Sequence, residues 1–458
     1  MIRARVLLFT LFAASTSSCA PSGFKLNRGP IKAASPVASS APADWKFWWG
    51  ISTASYQFED PGPPEENLGF KTDWDLWAAA GRLREPRGNA TWSYTETDRD
   101  IAALRHLGVT HLRFSVEWAR VEPSPGQFNE AAIQHYVRYA RDLKKAGITP
   151  IVALWHFTFP SWLSGDDADH HGWMHPDVVA RWGEFIRHIA AALAPEVQYF
   201  VPESEPNSWA LAVLVKYFPV PGRASYSRYL RTQDIEATCF LDAAKIIREI
   251  RPDARIISIH SIIHWQPDAL DFFNFWYHKA LEYNYYHLDK VVDACDLIGI
   301  NYYYRETASP LARAAQAKRT GEGVSDQGWI IDAGGLEAEI RAAARRYGKP
   351  ILITENGICD RTDLKRQRYV VDHVQAVRRA IDAGFDVRGY FHWSLIDNYE
   401  WADGYRQKFG LFSMDPTTRA LVPKKSASFY RSLITGKPID EPLQTIPATA
   451  SSKVARGG

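Results

Sequence analysis

Two glutamates have the residue type and the sequence position that a catalytic acid, base or nucleophile would need. Glu205 lies in PESEPN (202–207) and Glu355 in ITENG (353–357), and each follows an apolar run of the chain. Two carboxyl groups brought into one site could divide the roles of acid, base and nucleophile between them. The alternative is structural, because acids at strand ends also form ion pairs with Arg or Lys. Position alone leaves both interpretations open.

Eight short apolar runs, separated by longer helical patterns, would position these two residues. The runs are continuous rather than alternating, which predicts strands buried on both faces in a parallel sheet. The predicted strands are Phe47–Ile51, His111–Val116, Pro150–Leu154, Gln198–Pro202, Arg255–Ile259, Leu297–Tyr302, Ile351–Thr354 and Arg388–Trp393.

The segments between the runs have helical periodicity. Between residues 129 and 147, apolar residues recur three or four positions apart, Asn129 can cap the start, and Gly147 can end the helix. Eight strand-then-helix units predict an α/β fold, a (β/α)8 TIM barrel that forms a single domain over residues 44–436. A doubly wound open sheet is the alternative, and the count of eight favours the barrel.

In a barrel of this kind, chemistry takes place where the strands end and the loops begin. One polar or aromatic residue at a strand end means little, whereas several on one face indicate a site. The residues at the predicted strand ends are Arg113, His156, Glu205, Asn301, Tyr303, Glu355 and Trp393.

Five longer motifs surround these positions. They are FWWGISTASYQFED (47–60), LRFSVEWARV (112–121), ITPIVALWHFTFP (148–160), ILITENG (351–357) and GYFHWSLIDNYEWADGYRQKFG (389–410). In this order they resemble glycoside hydrolase family 1, the β-glucosidase/β-galactosidase family of retaining enzymes on a (β/α)8 barrel, with some archaeal-like variants. The resemblance covers nearly all of residues 45–436, and five motifs in register are far more specific than one.

The resemblance implies a β-glycosidase that hydrolyses terminal, unphosphorylated β-D-glucosides, β-D-galactosides or β-D-fucosides, with no cofactor and no metal ion. It implies Glu355 as the nucleophile and Glu205 as the acid/base, with Arg113 and Tyr303 holding the nucleophile. The positions matched to substrate binding are Gln57, His156, Ser204, Asn301, Tyr303, Trp393, Glu400 and Trp401.

Ser204 departs from the family, which has Asn before the acid/base. That Asn normally contacts the sugar 2-hydroxyl, a contact that strengthens in the transition state. Serine is shorter, so we expect weaker dependence on the 2-hydroxyl, with water or Asn207 as a substitute. The departure leaves two alternatives: a transglycosidase of the same mechanism, or a sugar-binding protein that has lost turnover. The intact Glu205 and Glu355 argue against the second.

Three expectations concern the acids themselves. Pro206 disfavours helical geometry in the residue before it, which predicts an extended Glu205 at the strand end. The charge of Arg113 and a hydrogen bond from Tyr303 should lower the pKa of Glu355, while the negative Glu355 should raise the pKa of Glu205. A negative Glu400 beside the sugar should repel a 6-phosphate group.

Composition excludes several other classes of function. The chain has 458 residues, and 54 Lys and Arg against 52 Asp and Glu give a net charge of +2, so a nucleic-acid binder is not indicated. Four cysteines are too few for a disulfide framework, and Cys239, Cys295 and Cys359 are expected to be buried free thiols. The expected partner is a small carbohydrate or glycoside.

The two ends of the chain differ from the middle. Residues 1–19 have a basic start, the short apolar run Val6–Ala14 and small residues before Cys19, as in an export signal. Cys19 is a lipidation candidate, with simple secretion as the alternative. Residues 20–43, rich in Pro, Ala and Ser, predict a tether, and residues 437–458 a flexible tail. An exported bacterial protein, periplasmic or anchored to the cell envelope, is expected, with no other membrane contact.

Overall fold

The computed structural model describes residues 46–309, 320–441 and 443–449, so the predictions on residues 1–19 and 20–43, including Cys19, lie outside the described residues. Eight parallel strands form the centre of the fold, each within two residues of its predicted position. They are β1 (Trp48–Ser52), β2 (His111–Ser115), β3 (Thr149–Ala153), β4 (Tyr199–Val201), β5 (Arg255–Ser261), β6 (Leu297–Tyr302), β7 (Ile351–Asn356) and β8 (Val387–Trp393).

The eight strands close into a barrel. Each strand pairs in parallel with the next one along the chain, and β8 returns to pair with β1, from Trp48 beside Gly389 to Ser52 beside Trp393. This closed order confirms the predicted (β/α)8 barrel and excludes the open sheet.

In the described residues, one longer helix follows each strand of the barrel. These helices are α1 (Thr97–Leu107), α2 (Glu130–Lys145), α3 (Val178–Leu193), α4 (Tyr226–Ile250), α5 (Phe275–Tyr285), α6 (Ala333–Tyr347), α7 (Leu364–Asp382) and α8 (Lys425–Thr435). The predicted start of α2 is confirmed, because the Asn129 side chain accepts a hydrogen bond from the Ala132 amide at 3.2 Å. Gly147 follows α2 with a φ of 79°, a conformation that favours glycine.

Shorter elements lie in the connections. The strands His264–Gln266 and Arg305–Thr307 pair in parallel, and Phe412–Met414 and Leu421–Pro423 pair antiparallel. The short α-helices are Ser55–Phe58, Pro64–Asn67, Asp73–Ala79, Trp118–Val121, Pro206–Leu214 and Leu288–Val291, and the 3₁₀ turns are Ser161–Leu163, Gly172–Met174, Val292–Ala294 and Trp401–Arg406.

The barrel interior is a packed apolar core. Its buried side chains are Trp48, Ile151, Ala153, Val201, Ile257, Ile259, Leu297, Leu352 and Phe391. Gly50 makes room for one of them, since a Cβ at this position would lie 2.2 Å from the Phe391 ring. Because the interior is filled, open space for a ligand lies above the core, at the carboxyl ends of the strands.

The described part of the predicted tail packs against the domain. Ile446 exchanges two backbone hydrogen bonds with Leu421, at 2.8 and 2.9 Å, and the Thr449 amide donates to the Glu96 carboxylate at 2.7 Å. Leu443 and Ile446 are buried. The prediction of a flexible tail from residue 437 is therefore wrong for residues 443–449, because two apolar side chains and these backbone bonds hold them in place.

Cys239, Cys295 and Cys359 are free and buried, as predicted. Over the described ranges, no helix has the length and apolar character needed to cross a membrane.

Candidate active site

Glu205 lies just beyond β4, at the start of the helix Pro206–Leu214. Its φ of 50° and ψ of 53° are left-handed, so the predicted extended conformation is wrong. The helix begins directly at Pro206, and the Glu205 amide donates to the Ile259 carbonyl of β5 at 3.0 Å. The helix start and this hydrogen bond turn the chain at Glu205. The Glu205 side chain lines a cleft at the carboxyl end of the barrel.

Glu355 belongs to β7, inside the strand rather than after it, and only 4% of it is exposed. One carboxylate oxygen accepts a hydrogen bond from the Arg113 guanidinium, and the other accepts one from the Tyr303 hydroxyl. The pairing of β6 with β7 shifts register between Ile300 and Asn301, and this irregularity sets Asn301 beside Glu355.

Asn301 connects the two glutamates. Its side-chain amide donates to Glu205 at 2.6 Å, and its backbone lies beside that of Glu355 in the pairing of β6 with β7. The amide orientation is fixed because its oxygen accepts from the Thr354 hydroxyl at 2.6 Å. One residue thus holds Glu205 and lies next to Glu355, which brings the two carboxyl groups to the same end of the barrel.

The two carboxyl groups differ in their electrostatic surroundings. Burial and the negative charge of Glu355 raise the pKa of Glu205 to about 8. Burial also raises the pKa of Glu355, against the opposing effects of Arg113 and Tyr303. The expectation that the two pKa values shift in opposite directions is therefore wrong, because the effect of burial on Glu355 outweighs that of the Arg113 charge. Arg113 donates directly to Glu355 and acts less strongly on Glu205, so the first proton lost from the pair leaves Glu355.

Arg113 also organises a second set of contacts beneath the cleft. It donates to Nδ1 of His156 at 3.2 Å and to the Ser204 hydroxyl at 3.1 Å. An arginine can only donate, so Nδ1 of His156 is an acceptor and the ring proton resides on Nε2. Burial and the charge of Arg113 hold the pKa of His156 well below its ordinary value. The result is a neutral imidazole that can offer its Nε2–H to a ligand hydroxyl.

Ser204 lies under the cleft surface with no exposed area, held by Arg113. Asn207 does not replace the missing Asn side chain. Its amide donates to the Ser261 carbonyl at 2.8 Å and the Tyr283 carbonyl at 3.1 Å, while its oxygen accepts from the Ser261 amide at 3.2 Å. The expectation that Asn207 could substitute is wrong, because these backbone contacts already engage its side chain.

The other side of the cleft carries Gln57, Glu400 and two tryptophans. The Gln57 amide donates to the Glu400 carboxylate at 3.2 Å and to the Tyr399 carbonyl at 3.0 Å. Trp393 and Trp401 lie nearly parallel to the His156 ring, at interplanar angles of 10° and 11°. Burial and the charge of Glu355 raise the pKa of Glu400 well above its ordinary value. This direction disfavours the negative charge that was expected on Glu400.

Of the eleven predicted site residues, eight line one cleft and three lie beneath it. The lining residues are Gln57, His156, Glu205, Tyr303, Glu355, Trp393, Glu400 and Trp401. Arg113, Ser204 and Asn301 are fully buried. Arg113 and Asn301 hydrogen-bond lining residues from below, and Ser204 is bonded to Arg113.

Sequence reasoning missed a second group of cleft residues. Six of them are Phe157, Leu211, Tyr217, Phe218, Tyr283 and Trp329. Phe157 follows His156 in a quoted motif and could have been found there. The others carried no signal, because an apolar residue in a helix or loop looks the same whether it faces a core or a cleft.

A closed (β/α)8 barrel whose strand ends hold two buried, neighbouring carboxyl groups beside flat tryptophan faces is typical of a glycoside hydrolase.

Comparisons with known proteins agree with this class. Residues 40–272 and 277–438 match the sequence model of Glycosyl hydrolase family 1. A β-galactosidase from Pyrococcus woesei is 26% identical, over 87% of this chain and 98% of its own. A bifunctional β-D-glucosidase/β-D-fucosidase from Bifidobacterium breve is 29% identical, over 85% and 97%. The solved structure of Fpglu1 from Fervidobacterium pennivoraus is 27% identical, covers 86% and 96%, and superposes with a TM-score of 0.78.

The chain belongs to glycosyl hydrolase family 1, as the sequence motifs predicted. It is an O-glycosyl hydrolase, a β-glycosidase built on a TIM barrel.

Proposed function

We propose that this β-glycosidase retains anomeric configuration, with Glu355 as nucleophile and Glu205 as acid/base. The observation that carries the proposal is Asn301, which donates to Glu205 and lies beside Glu355 in the neighbouring strand. Carboxyl groups about 5–5.5 Å apart allow one of them to bond the sugar covalently, whereas inverting enzymes need a wider gap for water.

The reaction proceeds in two displacements. In the first, a Glu355 oxygen bonds the anomeric carbon while the glycosidic C–O bond breaks and Glu205 gives its proton to the leaving oxygen. The ester cancels the charge of Glu355, so the pKa of Glu205 falls and it becomes a base. In the second displacement, Glu205 takes a proton from water, the water oxygen bonds the anomeric carbon, and the Glu355 carboxylate is released.

The proposed substrates are terminal β-D-glucosides, β-D-galactosides and β-D-fucosides without phosphate. The names of the relatives support these sugars. Gln57, Glu400 and the Nε2–H of His156 supply donors and acceptors for sugar hydroxyls. Among the described residues that line the cleft there is no Lys or Arg, so a 6-phosphate would find no cation.

Product stereochemistry tests this function. NMR at early times in the hydrolysis of an aryl β-glucoside should show β-glucose first, before mutarotation. First appearance of α-glucose would contradict the proposal. A panel of aryl β-glycosides ranks the three sugars, and glucoside 6-phosphates should not be turned over.

The pKa of Glu205 predicts a high alkaline limit of activity. A raised pKa keeps the acid protonated at neutral pH, so kcat/KM should hold up to about pH 8, where the pKa lies, and fall about tenfold per unit above it. Because burial also raises the pKa of Glu355, the acid limb should lie above the ordinary carboxyl range. A kcat/KM profile between about pH 4 and 10 measures both limbs. An alkaline limb below about pH 6 would contradict the assignment.

Ser204 predicts weak dependence on the sugar 2-hydroxyl. Its side chain is buried and bonded to Arg113, so it cannot hold this hydroxyl in the transition state. We expect the loss of kcat/KM between a glucoside and its 2-deoxy analogue to be at least about tenfold smaller in the wild type than in Ser204→Asn. The loss for a 6-deoxyglucoside, the control, should be equal in both enzymes. Equal losses for the 2-deoxy substrate would refute the idea.

We also propose that the protein is exported to the periplasm or cell envelope, with Cys19 as a lipid attachment site. The basic start, the apolar run Val6–Ala14 and the small residues before Cys19 support this proposal. Mass spectrometry of the mature N-terminus tests it. A diacylglycerol-modified Cys19 supports anchoring, an unmodified cleaved terminus indicates secretion, and an intact Met1 contradicts export.

A further inference from the structure

One wall of the cleft, beyond the two glutamates, is apolar. Leu211 and Tyr304 pack on a buried cluster that includes Ile263 and Tyr283, and all four line the cleft. Tyr304 extends this surface by stacking on Trp329, with ring centroids 4.7 Å apart and an interplanar angle of 17°. Because Gln57, Glu400 and His156 lie on the other side, this apolar wall faces the leaving group of a bound glycoside.

Two serines on this side lie close to Glu205 and Tyr283. Ser208 is near both of these groups, and Ser261 is near Tyr283. The lining residues of the cleft also include Glu306, an acid. A second sugar needs several hydrogen-bonding partners, and an anionic group needs a cation, so the apolar wall favours an uncharged, apolar aglycone.

An exposed apolar tip continues from this wall. Ile263 leads into the strand His264–Gln266, which pairs with Arg305–Thr307 beside Tyr304. The chain then reaches four large exposed side chains within six residues. The members of this apolar tip are Leu270, Phe272, Phe273 and Phe275, exposed by 64%, 84%, 90% and 43%. Behind it, Tyr277 of α5 packs on the same cluster as Leu211 and Tyr304, so one buried cluster supports both the start of α5 and the wall.

Hydrogen bonds hold the tip in shape. The Asp271 carboxylate accepts from the amides of Phe275 at 2.9 Å, Trp276 at 2.8 Å and Tyr277 at 3.1 Å. The Asp268 carboxylate accepts from the Leu270 amide at 3.0 Å. The exposure of these apolar side chains is therefore built into the start of α5.

The tip is too small for a stable protein interface. Four such side chains offer on the order of 500 Å², whereas a standard interface needs about 800 Å² per partner. Exposed aromatic side chains at a helix start, followed by half-buried Trp276 and Tyr277, instead suit the boundary between water and lipid, where aromatic side chains concentrate.

Resting on the proposed glycosidase function, we propose that the enzyme acts on amphiphilic β-glycosides with a long apolar aglycone. The aglycone lies along the apolar wall, and the apolar tip enters the lipid layer that holds these glycosides. This assignment adds a substrate class and a docking surface to the hydrolytic site.

Alkyl β-glucosides test the wall. With leaving alcohols of equal basicity, kcat/KM should rise at least about tenfold from methyl to octyl β-glucoside below the micelle concentration, because each methylene buried against the wall strengthens binding. Cellobiose should be slower than octyl β-glucoside, and 4-carboxyphenyl β-glucoside slower than phenyl β-glucoside. Leu211→Asn should flatten the chain-length dependence. The control Val213→Asn, half-buried on the same helix, should preserve it. Equal rates for methyl and octyl glucoside would overturn the substrate class.

Vesicle flotation tests the tip. The full chain should float with phosphatidylcholine vesicles containing dodecyl β-glucoside, and the double substitution Phe272→Ser, Phe273→Ser should reduce the bound fraction at least fivefold. The control Leu364→Ser removes an isolated side chain that is 72% exposed and should bind as the wild type does. The lipid assignment would be overturned if the wild type did not bind the vesicles. It would also be overturned if the wild type formed a dimer in solution that the double substitution dissociated. Failure to hydrolyse any aryl β-glucoside would instead refute the proposed function, and flotation would be unaffected.

Discussion

Glu355→Gly is expected to lower kcat for aryl β-glucosides by at least about 10⁴-fold. The substitution removes the group that bonds the anomeric carbon, and no neighbouring side chain can take over this role, because Glu205 is protonated when the substrate binds. Steady-state rates with 2,4-dinitrophenyl β-glucoside measure the loss, since this leaving group needs no proton and isolates the nucleophilic step.

Rescue by a small anion distinguishes this role from a structural one. Removal of the Glu355 side chain leaves space beside the Arg113 guanidinium and the Tyr303 hydroxyl, both of which now contact the carboxylate. Azide in that space should attack the anomeric carbon and restore activity, with an α-glycosyl azide as product. Thermal unfolding near that of the wild type confirms folding. A folded variant that retains more than about 1% of activity without azide would contradict the nucleophile assignment.

Glu205→Ala should have an effect that depends on the leaving group. A phenyl leaving group needs the proton of Glu205, so its kcat/KM should fall about 10³-fold or more, near the upper range for one acid/base residue. A 2,4-dinitrophenyl group leaves without a proton, and its kcat/KM should fall less than about tenfold.

The second displacement supplies an independent check on Glu205. Without a base, the glycosyl-enzyme persists, and the dinitrophenyl substrate should show a burst followed by slow turnover. Azide needs no base and should speed turnover to give a β-glycosyl azide, the opposite anomer to that expected from Glu355→Gly. Equal losses for both leaving groups, with no burst, would place Glu205 outside proton transfer.

Much of this fold could be predicted because the barrel repeats one unit. Each strand is a short apolar run buried on both faces, and each following helix has its own apolar period, so local patterns determine the elements. The count of eight strands then favoured a closed barrel, and the pairing of β1 with β8 confirms it. The packing of tail residues 443–449 was not predicted, because the two side chains that become buried, Leu443 and Ile446, stand among polar residues in the sequence.

The site was predicted through motifs, and its details were not. The motifs predicted that Arg113 contacts Glu355, and it does. They could not predict the direction of the Glu355 pKa, because the effect of burial on this pKa, relative to that of the Arg113 charge, depends on tertiary packing. Glu205 adopts left-handed geometry because the next helix starts immediately, a boundary that Pro206 alone does not reveal. The apolar wall was invisible for a similar reason, since Leu211 and Trp329 have no sequence signature of their own.

The pairing of β1 with β8 also fixes the order of events during synthesis. The register joins Trp48 to Gly389, residues at opposite ends of the translated domain. At roughly 5–20 residues per second, the ribosome delivers β8 on the order of half a minute after β1. Through that interval β1 has one open edge, which could recruit other nascent chains. Expression at lower temperature or with more chaperone should therefore change the soluble yield of this protein more than its final stability.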